Sequence, residues 1–202
     1  MIATHPPALP LLGTMAGFRR FSVPEYHKLI EIGVLTEDDN LELIEGYLVL
    51  KMARNPPHDG TIQSVSDTVH PVLPTGWCLR VQLAVTLSES EPEPDIAIVR
   101  GTKRSYFTRH PSASDVGLLI EVADSTLPGD RADKGRIYAR ANVPIYWIVN
   151  LVDQQIEVYE NPTGPSASAR YDKQTIYHPN DSIPLVLEGK TLAMFSVKDL
   201  LP

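Results

Sequence analysis

The chain has 202 residues, 43% of them hydrophobic and 21% charged, a globular composition with enough apolar material for a continuous core. Its net charge of −7 offers no bulk attraction for nucleic acid, so a phosphate-bearing partner would have to meet a local basic patch or a bound metal ion. Cys78 is the only cysteine, which excludes an intrachain disulfide and a thiolate metal cluster and fits a reducing, cytoplasmic setting.

Residues 1–17, with Pro6, Pro7 and Pro10, read as a flexible tail, and residues 18–202 as one domain. The tail has no basic start followed by an apolar run, so no secretory signal is expected, and no stretch of the chain is long and apolar enough to cross a bilayer. The pattern Ser22-x-x-Glu25, with Pro24 in the first turn and Gly33 as a stop, predicts a short capped helix. "NLELIEGYLVLKM" alternates on both sides of Gly46 and predicts a β-hairpin. After Pro56-Pro57, Ile62, Val65 and Val69 recur at helical spacing up to Pro71. "WCLRVQLAVTL" keeps Leu79, Val81, Leu83, Val85 and Leu87 on odd positions, predicting one strand over 77–87.

Strands over 94–99 and 117–123 follow, joined by a polar stretch with Arg100, Lys103, Arg104 and Arg109. "PGDRADKGRIYARANV" predicts a helix of about three turns. "IYWIVNL" and "QIEVYEN" predict a strand pair around Val152-Asp153, residues 161–170 a loop, and the C-terminal segment two short strands with a half-helix. The order of elements predicts an α/β fold of the α+β kind, a mixed sheet flanked by helices.

The two acid-bearing strands carry the chemistry. Asp95 shares a face with Ala97 and Val99, and Glu121 shares one with Leu119 and Ala123. On neighbouring strands the two carboxylates would lie about 5 Å apart, where they repel unless a hard dication such as Mg²⁺ takes their oxygens. Glu121 lies inside an apolar run, and burying it unpartnered would cost several kcal/mol, very roughly. Lys134, one turn before Tyr138 on the next helix, can return to the same sheet end and steady charge on a phosphate oxygen. Its other reading is an i,i+4 pair with Asp130 on an exposed face. The basic stretch 100–109, next in sequence to the first acid, is either a local phosphate track or a solvated loop.

At these residues the chain resembles the Uma-two family of restriction-endonuclease-like proteins, placed in the PD-(D/E)XK nuclease superfamily. "EYHKLIEIGVLTEDDNLELIEGYLV", "EPEPDIAIV", "LLIEVADST", "DRADKGRIYARANVPIYWIVNL" and "IEVYENP" occur in the family's order, over about residues 18–200. The resemblance implies a restriction-endonuclease-like central sheet and a Mg²⁺- or Mn²⁺-dependent endonuclease acting on DNA. It implies Asp95, Glu121 and the backbone carbonyl of Val122 as metal ligands, with a homodimer as one arrangement for cutting two strands. The superfamily's lysine stands two residues after the second acid; here that residue is Ala123, and Lys134 matches a lysine that the family carries on the next helix. Glu45 matches an upstream acid, implied as an additional metal or water ligand, and is otherwise a surface residue of a tight hairpin. His58 matches a histidine at the start of the second helix, implied to contact a phosphate or the attacking water, and is otherwise a solvated helix end. Gln82 matches a position that lines the cleft. "ADST" departs from the family's Ser-Pro-Ser-Thr-like stretch. A nuclease fold kept as an inactive binding or structural module is the alternative.

Overall fold

The computed structural model describes residues 17–202, so the tail expected over 1–17 lies, but for its last residue, outside the described residues. Helix α1 (Val23–Glu31) starts where expected: the Ser22 side chain accepts from the Glu25 N–H while the Glu25 carboxylate accepts from the Ser22 N–H. Strands β1 (Leu41–Ile44) and β2 (Tyr47–Leu50) form the hairpin. Its two-residue turn puts Glu45 at φ 49° and Gly46 at φ 82°, the paired left-handed geometry that matches strand twist. Leu43, fully buried, packs with Val23 and Tyr26, so the hairpin and α1 form one apolar unit.

Helix α2 (Pro56–Val69), capped by Asn55, leads into the central sheet. Its strands are β3 (Trp77–Val81), β4 (Ile96–Arg100), β5 (Val116–Ala123), β6 (Ile145–Asn150), β7 (Gln155–Pro162) and β8 (Tyr171–Tyr177), in that spatial order. All neighbours are antiparallel except β5 and β6. A parallel pair needs a crossover, and it is helical: α3 (Leu127–Gly129), a π-helical turn (Asp130–Lys134) and α4 (Gly135–Arg140) follow one another without a break. A second hairpin, β9 (Ser182–Leu187) with β10 (Lys190–Ser196), closes the chain.

The sheet buries both faces. Ile96, Ile98, Leu118, Ile120 and Val122 pack on Ile62, Val65 and Val69 of α2 and on Ile183 and Leu185 of β9. The opposite side chains, Ala97, Val99, Leu119 and Ala123, pack on Ile137 and Tyr138 of α4 and on Val85 and Leu87. Each fully buried aliphatic side chain contributes about 1.5–3 kcal/mol.

Two expectations are corrected. The strand expected over 77–87 stops at Val81, because Gln82 turns into the left-handed region at φ 52°. Val85 and Leu87 are still buried, but from a loop held by their N–H groups on Pro92 and Ser90 carbonyls, while Leu83 is 48% exposed. Strand β8 was not anticipated at all: it is a polar edge strand, exposed along most of its length, with no apolar alternation to announce it.

Candidate active site

Ile96 pairs with Ile120 in the antiparallel β4–β5 register, so one step further brings Asp95 opposite Glu121. Both belong to the α4 face of the sheet, and both are buried, at 8% and 3% exposure. The Asp95 N–H points at Glu121 Oε2 from 3.4 Å, and Asp95 Oδ2 accepts from the Val122 N–H at 2.9 Å. In a strand the N–H and C=O of one residue face the same side, so the Val122 carbonyl opens toward the same gap.

The crossover brings the cation. Lys134 Nζ lies 3.0 Å from Glu121 Oε1 and 3.7 Å from Asp130 Oδ1. The i,i+4 pair with Asp130 therefore exists, but it is inside the site: Asp130 is 4% exposed. Tyr138, one turn on, donates its hydroxyl to Glu121 Oε1 at 2.7 Å. The π-helical turn that carries Lys134 is tied to the sheet by Arg131, whose guanidinium grips the fully buried Glu157, at 3.0 Å through Nε. Glu157 also accepts from Asn150 and Tyr159, and these donors hold its carboxyl down at about 2 despite burial.

Burial pushes the Glu121 carboxyl up to about 8, against the pull of Lys134, and the charges of Asp95 and Asp130 add to the rise. Burial alone would lower the Lys134 ammonium, but Glu121, Glu42 and Asp130 outweigh it and hold it above its usual range. Asp95 is driven up by burial, yet His58 and the Val122 N–H leave it net below its ordinary value. The pair of acids is thus split: Asp95 is the stable anion, Glu121 the reluctant one.

His58, on the first turn of α2, places Nε2 3.4 Å from Asp95 Oδ2, and this contact raises the imidazole against the lowering effect of its burial. Gln82 Nε2 approaches Asp95 Oδ1 at 3.5 Å, and its carbonyl accepts from Arg54. The left-handed kink at Gln82 is what turns this side chain to the acid. Glu45 lines the same cleft, but its carboxylate is spent on Arg136 and on Arg140, the latter at 2.7 Å. These arginines hold Glu45 below the usual carboxylate range. Glu42, three residues back on β1, is the hairpin acid whose charge is felt by Lys134, Asp130 and Tyr138.

The basic stretch 100–109 does not reach this place. Asp95 precedes β4 and Arg100 ends it, about 17 Å away along the strand. Arg100 is paired with Glu188, and Arg109 with Asp115 at 2.7 Å. Glu42 and Arg54 are not singled out by the sequence, and Asp130 and Tyr138 enter it only as neighbours of Lys134, not as site residues. Tyr138 and Asp130 each lie one helical turn from Lys134, a spacing visible in the sequence; Arg54 has no local signal.

Asp95, Glu121, Lys134, His58, Gln82, Glu42 and Asp130 open on one cleft of about 710 Å³. Its donors fit a hard divalent cation. Among the described residues, Glu121 Oε2 has only the long contact from the Asp95 N–H, Asp95 Oδ1 only the long contact from Gln82, and both are oxygens of buried acids. No three His, Cys, Asp or Glu side chains converge as a finished cage among the described residues. A cation held by these two acids would take its remaining ligands from water and substrate.

A mixed sheet with two acids facing each other on adjacent strands, and a lysine returning from the crossover, has the architecture of restriction-endonuclease-like folds. The chain belongs to the Uma2 family: the family model described as "Putative restriction endonuclease" matches residues 23–194. The fold is similar to the crystal structure of "a putative nuclease belonging to DUF820 from Anabaena variabilis ATCC 29413", at a TM-score of 0.60 and 17% identity, over 85% of this chain and 96% of that one. No curated protein matches the chain. No helix among the described residues is long and apolar enough to cross a membrane.

Proposed function

We propose that the chain is a divalent-metal-dependent endonuclease that hydrolyses phosphodiester bonds in DNA. One observation carries this reading: a buried Asp95–Glu121 pair, with Lys134 at 3.0 Å from Glu121, opens on a cleft wide enough for a nucleotide. The description of the family and the nuclease named as structural neighbour point the same way. Asp95, Glu121 and the Val122 carbonyl would hold Mg²⁺ or Mn²⁺, which when bound supplies Lewis-acid polarisation of the phosphate and a more acidic water.

The chain's own residues supply the rest. Lys134 presents a desolvated positive charge to a phosphate oxygen, in a setting where such a charge acts more strongly than in water. Tyr138 and Asp130 hold that lysine and its carboxylate partner in place. His58 and Gln82 hold the Asp95 carboxylate from either side.

Nicking of plasmid DNA in Mg²⁺ or Mn²⁺, against EDTA, tests the reading. Wild type should nick only with metal and Asp95→Asn should not nick at all. A wild-type protein that neither nicks DNA nor gains melting temperature with either ion would return the fold to the class of inactive binding modules.

A further inference from the structure

We infer that the cleft receives an unpaired stretch of nucleic acid, its bases lying on an apolar wall built by the β1–β2 hairpin, and not an intact duplex. The inference rests on the nuclease reading above and names the form of its substrate.

The wall is made of Val49, Leu50 and Met52, which are 39%, 69% and 63% exposed and line the same cleft as the acids. Val49 stands opposite Glu42 in the hairpin register, so the wall begins beside the carboxylates. Single exposed apolar side chains need no explanation, but three that line the cleft of the acids mark a contact surface.

The wall is flanked by two arginines that have no ion pair among the described residues. Arg20 lies over the Tyr47 ring at 5.3 Å and donates to the Tyr47 hydroxyl at 3.3 Å. Arg54 donates to the neutral amide of Gln82. Neither has a carboxylate within 4.0 Å among the described residues, whereas Lys51 between them is neutralised by Glu93 at 2.7 Å. From Tyr47 to Arg54 the extended chain can span at most about 23 Å. Cations at the ends of an apolar surface suit a single strand, whose phosphates meet the guanidinium groups while its base faces cover Val49, Leu50 and Met52.

A duplex has little use for this wall. Its base faces are already stacked, and only edges and phosphates are presented outward. Duplex affinity comes from clustered Lys and Arg, and this cleft sets Glu42, Glu93, Asp95, Glu121 and Asp130 against few unpaired cations.

The test uses the full chain and a short fluorescein-labelled DNA, as a single strand and as the matching duplex, with anisotropy read in EDTA so that nothing is cut. The single strand should bind at least about 10-fold more tightly than the duplex. Val49→Ser/Leu50→Ser/Met52→Ser should lose about 10-fold on the single strand and nothing on the duplex. Arg54→Gln should lower the log–log salt slope for the single strand by about 0.7. Equal or tighter duplex binding, no binding of either form, or a triple variant that holds the single strand like wild type would overturn the inference. So would a wild-type dimer in sedimentation that the triple variant loses, which would assign the wall to a second copy. Because these arms need no catalysis, their failure is separate from failure of the nuclease reading, which metal-dependent nicking decides.

Discussion

Lys134 reaches Glu121 across the gap between the crossover helix and strand β5, with 3.0 Å between Nζ and Oε1. The site's cation therefore depends on how the helix lies on the sheet, and the acid depends on the cation. Lys134→Met should abolish metal-dependent nicking, by at least about 100-fold, since one well-placed electrostatic group is worth about that much. Stability should fall by less than the roughly 3–5 kcal/mol typical of a broken buried pair, because Glu121 can take up a proton. Single-turnover cleavage and urea unfolding read the two effects separately.

A second expectation concerns pH. Glu121 is raised from an ordinary 4.5 to about 8, so the native state holds its proton more tightly than the unfolded chain between those values. In EDTA, the stability that Glu121 contributes should be full below 4.5 and lost as pH rises through about 8. Glu121→Gln should flatten that decline and be the more stable protein at the alkaline end. With Mg²⁺ or Mn²⁺ the trend reverses for wild type: the ion competes with the proton, so the metal-dependent rise in melting temperature should grow with pH and vanish in the variant. Melts across this range, with and without metal, check each part.

Glu45 gives a contrasting outcome. Its carboxylate pins the hairpin to α4 through Arg136 and Arg140. Glu45→Ala should cost about 1–2 kcal/mol by removing one carboxylate shared by two part-buried arginines, which keep Asp133 and Glu89 as partners, yet the metal-dependent shift in melting temperature should survive. If that shift disappeared with Glu45, the residue would be a ligand and not a strut.

Acid should loosen the other anchor. Glu157 is held at about 2 in the native state against an ordinary 4.5. Its contribution is present above 4.5 and is lost as pH falls toward about 2, because the unfolded chain binds the proton first. Glu157→Gln should remove that part of the acid transition. At neutral pH it should lower nicking while leaving the protein folded, because the π-helical turn that carries Lys134 loses its tie to the sheet. Acid titration followed by circular dichroism, beside a nicking assay, tests the link.

Asp95 and Glu121 were legible in the sequence because an acid within or beside an apolar strand run has few dull explanations, and period two fixes its face. Lys134 was legible from its helical phase with Tyr138. The π-helical turn was not, nor was its tie to the sheet, since Arg131 meets Glu157 from a segment far along the chain. The environment of Glu45 was hidden for the same reason: its arginines arrive from α4. The apparent strand over 77–87 misled because loop residues Val85 and Leu87 are buried on the same alternation a strand would use. The pairing of Arg100 with Glu188 was equally out of reach, because Glu188 arrives from a segment far along the chain.

Ala123 stands where a strand-borne lysine would be, two residues after Glu121, and it is fully buried in the apolar cluster that includes Leu127 and Tyr138. The crossover that delivers Lys134 has thus filled the volume the other lysine would need. A side chain of that length at position 123 would overpack the cluster and strand a charge in it. In this packing a lysine is costly at position 123, which ties the place of the cation in this chain to the crossover helix.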